Sequence, residues 1–147
     1  MKRDICTALV LEAKQEKQIT YQQIAQAIGR NIVWTTSAIL GQNTFDANEA
    51  KTVAELLGLG ADIEKALQVF PSKGTAAIMP PTDPLIYRLY EIVLVYGETI
   101  KEVIHEKVGD GIMSAIDFTM DIEKEENPKG DRIKIILDGK YLAYKKW

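Results

Sequence analysis

Four of the five prolines in this 147-residue chain fall within PSKGTAAIMPPTDP, between Pro71 and Pro84. Proline has no amide hydrogen to donate and its ring restricts the residue before it, so no helix can run through such a segment. The segment reads as a linker between two parts with different patterns, residues 1–74 and 75–147.

The first part is patterned as helices throughout. Ile5 to Lys17 carries apolar residues at helical spacing. Thr20 followed by Gln23 has the form of a capping box, and YQQIAQAI then meets Gly29, a residue suited to a left-handed helix end. A further helix is expected from about Ile32 to Leu40, stopping at Gly41. Asp46 with Glu49 repeats the capping signal for a helix that ends near Gly58, and a last short helix follows Asp62. Thr20 to Leu40 thus has a helix-turn-helix pattern inside a small bundle.

Such a pattern invites a DNA-binding reading, which the local chemistry opposes. A recognition helix needs donors for base edges and cations for phosphates. The segment NIVWTTSAIL has no Lys or Arg, and only Arg30 precedes it. Up to Gly74, eight basic residues balance eight acidic ones, which leaves little counterion-release driving force. A bundle used for packing and assembly, not for nucleic acid, is the expectation.

In the second part, Asp83-Pro84 starts a helix well, with a capping carboxylate and then proline in the first turn. That helix is expected to reach Tyr96 and break at Gly97, with a second from Glu98 to Val108. The period then changes to two, with Ser114, Ile116, Phe118, Met120 and Ile122 on one face of a strand. The turn NPKGD leads into RIKIILDGKYLAY, completing a hairpin. The fold class is therefore α+β: an all-helical, helix-turn-helix-like bundle, then a small domain of two helices and a β-hairpin. The second domain is thin for its length and is expected to need partner subunits.

A wheel of Leu85 to Tyr96 shows apolar residues on every side. A helix apolar all round is buried all round. Only Arg88 and Glu91 interrupt it, three residues apart on one flank. Removing such charges from water costs several kcal/mol each unless they are paired or serve a ligand. An ion pair locking a subunit interface is one reading. A guanidinium in a low-dielectric pocket is also a good seat for a small planar anion.

Other chemistries have little support. His105 and the lone Cys6 cannot build a metal site, and His105 reads as a helix-surface or interface residue. Ser114 lacks a G-x-S-x-G elbow, so a covalent role is not expected. The glycines around Asp110 are too few for a nucleotide loop and lack its lysine. The acidic run Asp121 to Glu126 reads as a solvated hairpin end. A net charge of -3 gives no general attraction to nucleic acid or acidic lipid. No apolar run has the length of a membrane helix, and the N-terminus does not resemble a signal peptide. A cytoplasmic protein is the expectation.

The run PTDPLIYRLYEIVLVYGETIKEVIHEKVGDGIMSAIDF resembles the signature region of the cyanases (cyanate hydratases), and LDGKYLAY resembles their C-terminal strand. In the first part, ITYQQIA and ILGQ are similar to that family too. The resemblance implies a carbon–nitrogen lyase that decomposes cyanate with bicarbonate as co-substrate and no cofactor. By motif, its catalytic residues would be Arg88 and Glu91 in YR-x-x-E and Ser114 in GDGI-x-SAI. It further implies a helical domain that does not bind DNA, an interlaced dimer, and a homodecamer of five dimers with active sites between subunits. Two rivals are a helix-turn-helix regulator and a non-catalytic scaffold. The first leaves Arg88 and Glu91 unexplained, and the retained Arg88, Glu91 and Ser114 speak against the second.

Overall fold

A computed structural model describes residues 1–71 and 79–145. In chain order the elements are α1 (Arg3–Glu16), α2 (Tyr21–Ile28), α3 (Ile32–Ile39), α4 (Ala47–Leu57), α5 (Ala61–Leu67), α6 (Pro84–Val108), β1 (Gly111–Glu125) and β2 (Arg132–Ala143). The strands pair as a two-stranded antiparallel sheet. The α+β class is as expected. The boundary between residues 74 and 75 lies outside the described residues, while 79–83 are non-helical as the prolines require.

Two compact units make up the chain. One holds α1–α5 and the distal hairpin, residues 119–137; the other holds α6 and the proximal hairpin, through 118 and from 138.

The bundle forms where local signals and burial agree. Thr20 and Asp46 each accept the amide of the residue three positions on, and Gln23 and Glu49 reach back to the cap amide. Gly29 and Gly58 close α2 and α4 in the left-handed conformation. The core packs Val10, Ile24, Ile39, Phe45, Val53 and Leu67. Trp34 meets the Phe45 ring edge-on, with centroids 5.5 Å apart.

Arg3 has a structural role that the pattern did not announce. Its Nη1 donates to the Ala66 carbonyl at 2.9 Å, and its Nη2 donates to the carbonyls of Ala38 and Asn43. Ala66 and Ala38 lie in the last turns of α5 and α3, where carbonyls carry partial negative charge; the Val69 and Gly41 amides also donate to them, at 3.3 and 3.1 Å. Burial pulls the Arg3 guanidinium below its ordinary pKa, against a smaller opposing pull from Cys6.

In the second unit, α6 departs from expectation. It is one helix of 25 residues that continues through Gly97. A glycine inside a helix costs about 1 kcal/mol relative to alanine, a penalty and not a prohibition. Leu85 to Tyr96 is also not buried by its own chain: α6 contains no buried residue. The hairpin face is similarly open, with Ile122, Ile133 and Leu137 exposed.

Candidate active site

Arg88 and Glu91 lie one helical turn apart on α6, an arrangement that sets i and i+3 side chains beside each other. The Arg88 Nη1 donates to Glu91 Oε2 at 2.6 Å. That bond, and the carboxylate's charge, push the guanidinium pKa above its ordinary value, so Arg88 is cationic at any working pH. The pair is not withdrawn from water within the chain: the side chains are 69% and 44% exposed. The guanidinium's other donors remain available to an anion.

Ser114 stands near the start of β1. Its Oγ accepts the backbone amides of Ile116 at 3.1 Å and Asp117 at 3.0 Å. A serine hydroxyl that takes the amides two and three residues on makes a local side-chain-to-backbone turn, an arch from Ser114 to Asp117. Ile116, at the crest, is 97% exposed and so leaves the common face expected of Ser114 to Ile122. Two donors into one oxygen occupy its lone pairs, and the hydroxyl's own proton is left for donation.

The base of the hairpin is tied to the end of α6. The His105 Nε2 lies 3.2 Å from the Gly111 carbonyl, and its Nδ1 lies 3.3 Å from Asp110 Oδ1. His105, expected as a helix-surface or interface residue, thus ties helix to strand. The Tyr141 hydroxyl donates to the Gly109 carbonyl, and the Tyr144 amide to the Asp110 carbonyl at 3.0 Å. Partial loss of water, helped by the charges of Asp110 and Tyr144, pushes the Tyr141 hydroxyl pKa up.

Arg88 and Glu91 are therefore brought together, while Ser114 is not joined to them. Arg88 lies 20 residues before the end of α6, about 30 Å along its axis. Among the described residues no hydrogen bond or ion pair links Ser114 to either charge. Among the described residues there is also no cluster of three His, Cys, Asp or Glu able to hold a metal.

Comparison with known proteins supplies the family. Residues 3–71 match the family described as "Cyanate hydratase, N-terminal", and residues 78–146 match "Cyanate lyase C-terminal domain". The chain belongs to the cyanate hydratase family. A cyanate hydratase from Thiobacillus denitrificans is 54% identical over 145 residues, spanning 99% of each chain. One from a Synechococcus species is 52% identical over 141 residues, 96% of this chain and 94% of the relative. The crystal structure of cyanase from T. urticae superposes with a TM-score of 0.84 at 41% identity, covering 94% of this chain and 96% of that one. The chain is accordingly an enzyme of a lyase family, and the resemblance carried by YRLYE and GDGIMSAI stands. No helix among the described residues is long and apolar enough to cross a membrane.

Sequence reasoning missed the arch at Ser114, the joint at His105 and the Tyr141 contact. Tyr141 lies inside LDGKYLAY, so the motif flagged the region, but its partner carbonyl is 32 residues away.

Proposed function

We propose that this enzyme decomposes cyanate with bicarbonate as co-substrate, using Arg88, Glu91 and Ser114 as one anion-binding site completed between chains. The observation that carries the reading is the Arg88–Glu91 pair: a held guanidinium on a helix whose apolar flanks its own chain leaves open. Both substrates are small anions, and their mutual repulsion opposes encounter. Arg88 offsets that repulsion and offers planar paired donors. Glu91 holds the guanidinium at 2.6 Å and so fixes its direction. Ser114, with its oxygen held by two amides, contributes a directed O–H donor.

A bicarbonate oxygen attacks the cyanate carbon, forming a C–O bond and placing negative charge on the cyanate nitrogen and oxygen. The bond from the bridging oxygen to the bicarbonate carbon then breaks, and carbon dioxide leaves. The remaining carbamate, whose nitrogen has taken the bicarbonate's proton and one from solution, takes up another and separates into ammonia and a second carbon dioxide. Overall, cyanate, bicarbonate and two protons give ammonia and two carbon dioxide molecules. Charge is conserved throughout without an oxidant or reductant, so no cofactor is invoked. Positioning two anions in a dry positive site supplies much of the rate.

The open apolar side chains of α6 and the hairpin support a homo-oligomer, a decamer of five dimers by family resemblance, in which other copies cover them. DNA is not a partner in this reading. Arg30, the cation that precedes α3, is held by Glu49 at 2.5 Å and stacked over Trp34 at 4.8 Å.

The test is ammonia release from cyanate. Purified protein should turn over only with bicarbonate present and should be indifferent to chelators. Full activity in bicarbonate-free buffer would contradict the proposal, as would loss in chelator that a divalent metal restores.

A further inference from the structure

Gly139, in LDGKYLAY, has no part in the reading above, and space demands a glycine there. A Cβ built on it would fall 2.4 Å from the Ser114 carbonyl oxygen, 2.6 Å from the Met113 Cγ and 3.2 Å from its Sδ. Gly139 is not among the positive-φ glycines, so its backbone conformation does not explain the requirement. The Met113 side chain could move aside, but the Ser114 carbonyl is backbone and can yield only if the strand shifts. Ser114 is also the residue whose hydroxyl gathers the amides of Ile116 and Asp117. The neighbour of Gly139 reaches the same arch, since Lys140 Nζ lies 3.6 Å from Asp117 Oδ2.

We propose that Gly139 is a positioning residue for Ser114: its missing side chain lets β2 close against the arch and sets where the serine hydroxyl points. The proposal rests on the reading that Ser114 donates to the reacting anions. A side chain at 139 would displace Ser114 by a fraction of an ångström to an ångström without touching substrate. Misplacement on that scale costs up to about 10²-fold in rate when a group must be aimed.

The experiment compares Gly139→Ala, Ser114→Ala and the double variant in bicarbonate-dependent cyanate turnover, with assembly size checked by light scattering. Gly139→Ala should lower kcat by roughly 10- to 100-fold with little change in the KM for cyanate, the mark of an interaction realised in the transition state. On the Ser114→Ala background it should cost less than about twofold, because the hydroxyl it aims is gone. If Gly139→Ala fails to assemble, Gly139→Ala with Met113→Ala, compared with Met113→Ala alone, leaves the Ser114 carbonyl as the main conflict and gives the same reading. Wild-type kcat in Gly139→Ala, or losses that multiply in the double variant, would overturn the positioning role alone. Wild-type turnover in Ser114→Ala would overturn the reading of Ser114 itself, and the positioning role with it.

Discussion

Arg88, Glu91 and Ser114 are asked for different things, and substitution should separate them. Arg88→Leu removes the positive charge yet suits the apolar surroundings of Leu85, Leu89 and Ile92 on α6. It should abolish cyanate turnover and weaken binding of small dianions while the assembly largely survives. Ser114→Ala loses one aimed donor, which costs about 10²–10³-fold in rate at a preorganised oxyanion site. Glu91→Gln keeps the shape and loosens the guanidinium, so its rate should fall between wild type and Arg88→Leu. Steady-state kinetics on all three gives the ranking, and Glu91→Gln as slow as Arg88→Leu would mean more than orientation. Unfolding is not the explanation to expect for that variant, because both partners of the pair are solvent-exposed within the chain. The charged pair was legible in sequence because two charges broke an otherwise apolar helix. The arch at Ser114 was not, since period-two alternation says nothing about a side chain bonding its own strand. Gly139 was visible only as one letter of a motif, because its constraint comes from an atom on the opposite strand.

Among the elements, the bundle was readable nearly helix by helix, because its boundaries are local. Thr20 with Gln23 and Asp46 with Glu49 hold both the signal and the hydrogen bonds that enforce it within four residues. Errors fall where the deciding contact is distant or the local penalty is small. Gly97 suggested a break because glycine is a poor helix former, yet its modest cost is outweighed in a 25-residue helix capped by Asp83. Arg3 carries no local signal of its role, because its partners are 35 and 63 residues away. Its loss should be felt: Arg3→Met strips a charged donor from carbonyls in the last turns of α3 and α5. Hydrogen bonds of that kind contribute about 1.5–3 kcal/mol, so unfolding of the bundle should require less denaturant by a comparable free energy. Circular dichroism through a urea titration of the full chain measures it. Unchanged stability would show that water satisfies those carbonyls as well as Arg3 does.

For the whole molecule, the decisive fact is that this chain does not cover its own apolar surface. Along α6, Leu85, Ile92, Val93, Leu94, Val95 and Tyr96 are exposed, as are Ile133 and Leu137 on the hairpin. A soluble monomer rarely carries so much contiguous apolar area. The sequence announced the need for cover through the all-round apolar helix, but not how separate Arg88 and Ser114 stand within one chain. Six residues past α6 span at most about 20 Å against roughly 30 Å of helix between Arg88 and Val108, which supports the proposal that Ser114 serves the Arg88 of another chain. Subunit complementation tests this most directly. Arg88→Leu and Ser114→Ala chains, each inactive or nearly so, are unfolded together, reassembled, and assayed for cyanate turnover after sizing. Mixed assemblies should regain a substantial fraction of wild-type activity, because some sites then combine an intact Arg88 with an intact Ser114 from different chains. Mixed assemblies of the correct size that stay as inactive as their parents would show that each site is built within one chain, and would contradict the account.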